Sequence, residues 1–119
     1  MARRAPALCV ALLLTACDGP PDRRPTLGDA DAARGRQLVV DKGCVACHAL
    51  PDVKWPRGRL GPSLEQFGRQ SLIAGRLPNQ PGVLMQFVRD APSQIPGTAM
   101  PAIPMTDQEA RDVVAYLSR

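Results

Sequence analysis

Hydrophobic residues recur at helical spacing in three segments of the chain, and no segment alternates apolar and polar residues as a half-buried strand would. The first two predicted helices cover residues 29–42 and 81–91. The third follows Thr106, which forms a capping box with Glu109. The residues on the three apolar faces are Ala32, Gly35, Leu38 and Val39; Leu84, Phe87, Val88 and Ala91; and Ala110, Val113, Val114 and Leu117. The pattern therefore predicts an all-α domain.

The connections between these helices are rich in proline and glycine. Residues 49–62 are predicted to form a loop, and short helical turns are expected at residues 64–67 and 71–74. Pro92 is expected to end the second helix, and the four prolines of residues 92–105 allow neither helix nor strand there. An irregular segment of this length is unusual in a small domain unless it wraps a cofactor.

The N-terminus has the pattern of a bacterial export signal. A basic start at residues 1–4 precedes an apolar stretch that is too short to span a bilayer and ends in Leu14-Thr15-Ala16-Cys17. This ending resembles the lipobox of bacterial lipoproteins, which implies a signal at residues 1–16 and acylation of Cys17; an ordinary signal cleaved near Ala16 is the alternative. Residues 17–26 are then predicted to form a flexible tether, and residues 27–119 one small domain.

The composition adds two constraints. One Trp, one Tyr and two Phe give the domain little bulk for a core, so we expect a disulfide, a metal or a cofactor to stabilise it. The formal net charge of +4, which falls by two when Arg3 and Arg4 leave with the signal, is too small to indicate nucleic-acid binding. Between residues 53 and 89, however, six basic residues stand against Glu65 alone. Such a surface can steer an acidic protein partner, and a solvated loop region without a docking role is the alternative.

The motif that carries chemistry is Cys44-Val45-Ala46-Cys47-His48. A structural zinc site needs four ligands, and the chain has no second ligand pair to complete one. A thiol–disulfide exchanger would place the motif at the start of a helix after a strand, and a plain disulfide between such near neighbours would constrain little. Cys-x-x-Cys-His is the attachment motif of c-type haem, in which both thiols bond to vinyl groups and the histidine binds iron. We therefore predict one covalent haem c on Cys44 and Cys47, with His48 as an iron ligand.

The second axial position of that iron is left to a methionine, to another side chain or to no protein ligand. His48 is the only histidine, so a second imidazole is excluded. Methionine at this position is typical of electron carriers, whereas an open position is typical of gas binding or catalysis. Met85 lies in a predicted helix and Met105 directly precedes a helix cap. Met100 lies in the proline-rich segment, which can present its sulfur, so Met100 is favoured and Met105 is the alternative.

Four stretches of the chain resemble class I cytochromes c, in that family's order, over residues 29–118. They are GRQLVVDKGCVACH, LGPSLEQFGR, PGTAMP and DQEARDVVAYL. The resemblance implies an all-α class I cytochrome c fold, with three to five helices around one covalently bound haem. It also implies that the N- and C-terminal helices cross, with Gly35 facing Tyr116.

The same resemblance assigns further residues to the haem site. It implies that Met100 is the distal iron ligand and that the Pro62 carbonyl accepts the N–H of His48. It places Leu64 in contact with the haem and Arg69 near the haem propionates. Residues 73–101 further resemble small cytochromes c that accompany, or are fused to, terminal oxidases, although those usually carry Trp where this chain has Phe87.

The resemblance implies a one-electron carrier that is not an enzyme. It is expected as a monomer on the periplasmic side of the inner membrane, held by lipid on Cys17, or free in the periplasm if Cys17 is not acylated. The expected donor is a quinol-oxidising complex or another cytochrome, the expected acceptor is a terminal oxidase, and no nucleic acid is involved. One alternative is a haem-based gas-binding or peroxidatic protein in which Met100 is displaced. Another is an assembly lipoprotein whose haem is structural.

Overall fold

Four α-helices, two 3-10 turns and one short hairpin make up residues 27–119, the part of the chain that the computed structural model describes. The signal at residues 1–16, Cys17 and the tether at 17–26 lie outside the described residues. The helices are α1 (Ala32–Asp41), α2 (Pro81–Arg89), α3 (Ala91–Gln94) and α4 (Asp107–Leu117), and the 3-10 turns cover Cys44–Ala46 and Phe67–Arg69. Within residues 27–119, none of the helices is long and apolar enough to cross a membrane. The all-α fold class is confirmed.

Helix α1 begins later than the sequence pattern predicts. Asp31 is its N-cap, and the Asp31 carboxylate accepts hydrogen bonds from the backbone N–H groups of Ala33 and Arg34. Because a cap residue stands outside the helix, the helix starts at Ala32 and not at residue 29. Asp29 is therefore not part of the first helical turn.

The second predicted helix is divided in two. Helix α2 ends at Arg89 because Asp90 leaves helical geometry, with φ −150° and ψ 71°. The Asp90 side chain then accepts from the N–H of Ser93 and caps the one-turn helix α3, which has Pro92 in its first turn. The prediction that Pro92 ends a helix was therefore wrong, because proline is compatible with the first turn, where its missing N–H has no partner to lose. The prediction that residues 92–105 form neither helix nor strand was also wrong for residues 92–94, which are helical. The rest of this segment contains no helix and no named strand.

A small hairpin replaces the helical turn predicted at residues 71–74. Strand β1 (Leu72–Ile73) pairs antiparallel with strand β2 (Leu77–Pro78), with Ile73 opposite Leu77. Three residues, 74–76, connect the strands: Ala74 and Gly75 both have positive φ, 49° and 69°, and the Arg76 N–H donates to the Ile73 carbonyl at 3.0 Å. Two consecutive residues of this kind match the twist of a tight hairpin turn, and Arg76 then leads into strand β2.

Helix α4 begins and ends as the sequence pattern predicts, with Thr106 as its N-cap. The Thr106 side chain accepts from the Glu109 N–H, and the Glu109 carboxylate accepts from the Thr106 N–H, which completes the capping box. The predicted stripe of α4 is buried, as is that of α2 with Ala91. These stripes and the buried Val39 of α1 surround the centre of the domain.

Helices α1 and α4 cross at Gly35. A Cβ on Gly35 would lie 2.0 Å from the backbone oxygen of Asp112 and 2.9 Å from Cβ of Tyr116, so only glycine permits this approach. The Tyr116 hydroxyl donates a hydrogen bond to the carbonyl of Pro51 and so connects the crossing to the loop that follows the Cys-x-x-Cys-His motif. The expected contact between Gly35 and Tyr116 is present.

A buried carboxylate joins the two helices at this crossing. Asp112 is fully buried, and it accepts from the Asp31 N–H at 2.8 Å, from Nε of Arg34 at 2.6 Å and from Gln108 at 3.1 Å. Burial by itself raises the pKa of Asp112, but these hydrogen bonds and the Arg34 charge together outweigh burial and hold the pKa below its ordinary value. The native fold therefore stabilises the ionised form of Asp112.

We expect Asp112→Asn to lower the free energy of unfolding by roughly 1–3 kcal/mol at pH 7, since a charged hydrogen-bond acceptor is lost. Because the native pKa is depressed, this contribution is complete above the ordinary Asp pKa of about 4 and is lost as the pH falls through the native value. The wild-type and variant stabilities should therefore converge below about pH 4. Denaturant unfolding of both haem-loaded proteins from pH 7 to pH 3 measures this, with the exposed Asp41→Asn as control. A pH-independent difference would contradict the assignment.

Candidate functional site

The Cys-x-x-Cys-His motif lies on a tight turn immediately after α1. Gly43 ends the helix region with φ 78°, a left-handed conformation that glycine adopts without strain. The turn then folds back so that the Cys44 carbonyl accepts from the N–H groups of both Cys47 (3.2 Å) and His48 (3.0 Å). The two thiols and the imidazole are therefore presented by one compact turn whose backbone is internally bonded.

The following loop is bonded to this turn by three backbone hydrogen bonds. The carbonyl groups of residues 45, 47 and 49 accept hydrogen bonds from N–H groups of the loop. The pairs are Gly58 N–H to Val45 O at 2.9 Å, Gly61 N–H to Cys47 O at 2.8 Å and Leu64 N–H to Ala49 O at 2.8 Å. Because these bonds fix residues 58–64 against residues 45–49, the loop has a single position relative to the histidine.

This position orients the His48 ring. Nδ1 of His48 lies 2.7 Å from the carbonyl oxygen of Pro62. A carbonyl oxygen only accepts, so Nδ1 carries the proton and donates it, and Nε2 keeps a free lone pair for a metal. Such a bond fixes the ring and makes the imidazole a stronger donor to iron. The structure thus brings together His48 and Pro62 as the sequence resemblance implies.

Two glycines that the sequence analysis read only as loop formers are part of the site. A Cβ on Gly61 would lie 2.4 Å from Cε1 of His48, and a Cβ on Gly58 would lie 2.3 Å from the Cys47 carbonyl carbon. Neither glycine has a positive φ, so glycine is required at these positions by the close approach of the loop to Cys47 and His48 and not by turn geometry.

Above the turn lies an apolar cavity that encloses about 510 Å³ of empty space, part of it open to solvent. All the helices except α3 contribute to its wall. The lining residues are Val39, Cys44, His48, Leu50, Leu64, Phe67, Leu84, Val88, Met100, Ile103, Met105, Val113 and Leu117. The centre of the domain is therefore an apolar cavity whose wall carries the imidazole of His48, the thiol of Cys44 and the thioether sulfurs of Met100 and Met105.

The structure places the three candidate methionines differently. Met100 and Met105 both line the cavity, whereas Met85 packs against the core from α2 and is absent from the cavity wall. The backbone N–H of Met100 donates to the Thr98 hydroxyl at 3.3 Å, so a local turn holds this residue. Two thioether sulfurs are thus available on the wall.

The remaining predicted residues differ in whether they reach the cavity. Leu64 lines the cavity beside His48, and Phe87 is buried in the core but does not reach the cavity wall. Arg69 ends the 3-10 turn at Phe67–Arg69 and is exposed, while its neighbour Phe67 lines the cavity. The contact of Arg69 with propionates stays a prediction.

Cys44 does not have the electrostatics of a thiol–disulfide exchanger. Burial is the main cause that raises the pKa of the Cys44 thiol, and the nearby Cys47 raises it further, against a backbone hydrogen bond that lowers it. Exchangers rely instead on a depressed thiol pKa. Among residues 27–119, no three His, Cys, Asp or Glu side chains are grouped to hold a metal ion. The apolar wall, the free Nε2 of His48 and the Cys44 thiol, by contrast, match the chemistry that would hold a planar macrocycle with a central metal.

Comparison with known proteins decides the family. The family model described as Cytochrome c matches residues 32–119, which cover both helices of the crossing and the whole site. The chain belongs to the cytochrome c family. As a class I cytochrome c, it carries covalently bound haem c with iron, and Cys44 and Cys47 fit the attachment motif of this family.

The curated relatives of this cytochrome c are longer proteins. It is 36% identical over 87 residues to cytochrome c oxidase subunit 2 of Alkalihalophilus pseudofirmus, a match that covers 72% of this chain and 25% of the relative. It is 29% identical over 99 residues to cytochrome c oxidase subunit 2 of Bacillus sp. strain PS3, covering 80% and 28%. This cytochrome c spans about a quarter of the length of the curated relatives it matches.

A solved structure supports the fold. The crystal structure of SoxXA from P. pantotrophus superposes on this cytochrome c with a TM-score of 0.56 and 24% sequence identity, covering 75% of this chain and 80% of the other. At this identity the likeness concerns the fold alone.

We expect Gly61→Ala to displace the His48 ring, because the new methyl group would overlap the imidazole. The haem-loaded yield should fall, and the remaining protein should lose about 2 kcal/mol of unfolding free energy, as is typical of overpacking. The haem absorbance per polypeptide and denaturant unfolding measure the two effects. Gly82→Ala is the control, since no atom lies within 4 Å of its added Cβ. A Gly61→Ala protein with wild-type yield and stability would contradict the positioning role.

Proposed function

We propose that this cytochrome c is a one-electron carrier whose iron is bound by Nε2 of His48 and the sulfur of Met100. The observation that carries the proposal is the hydrogen bond of Nδ1 to the Pro62 carbonyl, which leaves Nε2 as the one free imidazole nitrogen of the described residues. When bound, haem supplies the reversible ferric–ferrous couple. The protein itself changes no substrate in this proposal.

The residues around the cavity tune this couple. Val39, Leu84, Val113 and the other apolar residues of the wall exclude water, and burial is one of the factors that set the potential of a haem. The Pro62 carbonyl makes His48 a better electron donor to the metal. A methionine sulfur bound to the iron would raise the potential, as in electron carriers.

Backbone anchoring supports Met100 over Met105 as the distal ligand. Met105 stands between two fixed neighbours: the Pro104 carbonyl accepts from Nζ of Lys42 at 3.0 Å, and the Thr106 N–H donates to Glu109 at 2.7 Å. Met100 lies in a loop between α3 and the Ile103 N–H, which donates to the Arg89 carbonyl at 2.9 Å. The N–H of Met100 itself donates to the Thr98 hydroxyl at the longer distance of 3.3 Å, so this loop is anchored less tightly than residues 104–106, and we favour Met100 as the ligand.

We expect Met100→Ala to abolish the weak long-wavelength absorption band that sulfur ligation gives the oxidised protein, and Met105→Ala to leave that band in place. The reason is that only the ligating sulfur produces this charge-transfer band. An absorption spectrum of each oxidised protein measures the effect, and Met85→Ala is a further control from outside the cavity wall. Loss of the band in Met105→Ala alone would reassign the ligand. Immediate, tight binding of carbon monoxide by the reduced wild type would instead favour the gas-binding alternative.

The proposed acceptor is a terminal oxidase, and the proposed donor is a quinol-oxidising complex or another cytochrome. The names of the curated relatives support the acceptor, since this chain matches about a quarter of each cytochrome c oxidase subunit 2. We further propose that lipid on Cys17 holds a monomer to the periplasmic side of the inner membrane, a proposal that rests on the lipobox-like ending at Cys17.

A further inference from the structure

We propose that the loop at residues 53–62 is the docking surface for the redox partner, and that it fits a protein with an apolar centre and an acidic rim. This inference rests on the proposed electron-transfer function and deepens it by naming the contact surface. The docking patch is defined as Trp55 and Leu60 together with the basic residues Lys54 and Arg59.

The patch exposes the two least buried large apolar side chains of residues 27–119. Leu60 is 89% exposed and Trp55 is 85% exposed. The next such residues, Leu72 and Val40, are 45% and 40% exposed. A single exposed leucine on a surface is ordinary, but an almost fully exposed tryptophan in the same loop provides the kind of anchor on which binding energy concentrates.

The patch is built directly onto the haem-attachment turn. Leu60 is adjacent to Gly61, which lies against the His48 ring and donates to the Cys47 carbonyl at 2.8 Å. Gly58, between Trp55 and Leu60, donates to the Val45 carbonyl at 2.9 Å and packs on the Cys47 backbone. Leu60 is therefore one residue along the chain from Gly61, which lies against the imidazole proposed to bind iron. A partner bound to the patch would cover the loop that positions this imidazole.

The charges of the loop favour an acidic partner. Residues 53–62 contain three basic residues and no acidic residue. Arg57 is paired with Glu65 at 3.0 Å, and this pairing leaves Lys54 and Arg59, both exposed, as the cations that flank the apolar anchors. An apolar centre with charges at its rim is the usual anatomy of a transient protein interface, in which rim charges set the association rate.

The electron balance of the docked complex is simple. One electron leaves the reduced cytochrome, which becomes oxidised, and reduces one oxidised metal centre of the partner. No bond is made or broken and no proton is transferred between the proteins at this step. The oxidase metal centre is the oxidant by chemical class, and oxygen regenerates it.

The test uses the full chain matured with haem in its host, supplied in the reduced form to oxidase-containing membranes of the source cells. Oxygen consumption is followed against cytochrome concentration with native membranes and again with detergent-solubilised membranes. The variants are Trp55→Ser with Leu60→Ser, and Lys54→Glu with Arg59→Glu. The matched controls are Leu72→Ser and Arg76→Glu, which lie on the hairpin and are also exposed. Absorption spectra and unfolding midpoints establish that each variant is folded.

We expect the apolar double variant to raise KM about ten-fold in both membrane preparations, with the hairpin variants within about two-fold of wild type. The charge-reversal variant should lower kcat/KM about ten-fold at low salt, and the deficit should shrink as the ionic strength rises. Apolar variants that behave like Leu72→Ser while the wild type turns over would overturn the docking surface alone. An effect that disappears on solubilisation would assign the patch to lipid and overturn the protein partner. A wild type that the membranes fail to oxidise would overturn the proposed function and the docking surface together.

Discussion

Three backbone hydrogen bonds between the Cys-x-x-Cys-His turn and the loop behind it hold the site together. They fix the loop through Gly58, Gly61 and Leu64, and the Pro62 carbonyl then accepts the Nδ1–H of His48. If this loop moved, the ring would lose both its hydrogen-bond partner and the glycine surface against which it lies. The histidine tautomer, the direction of its free lone pair and the floor of the cavity all depend on this one arrangement.

The helices enclose that arrangement with few bulky side chains. Gly35 lets α1 and α4 approach until Asp112 can bind the N-cap residue of α1, and Tyr116 reaches the carbonyl of Pro51 behind the motif. The helices thereby surround the apolar cavity beside His48. Because a small domain with four aromatic residues has few other sources of stability, a covalently held cofactor in that space completes the core.

Local signals in the sequence predicted the features that local interactions determine. The Thr106–Glu109 capping box and the apolar stripes of α2 and α4 needed no tertiary information, and the motif itself identified the cofactor. The hairpin was missed because two-residue strands are too short to alternate and its Ala74–Gly75 turn lacks the usual Asn–Gly signature. The positioning roles of Gly58 and Gly61 and the buried charge of Asp112 depend on contacts between distant segments, which periodicity does not report.

The central claim is that both thiols of the turn are bonded to one haem. The most direct test is the intact mass of the chain matured in a host competent for haem attachment, followed by alkylation of the denatured protein. The account predicts a coloured protein whose mass exceeds that of its polypeptide by one haem, with neither Cys44 nor Cys47 alkylated. A colourless protein in which both thiols react would contradict it.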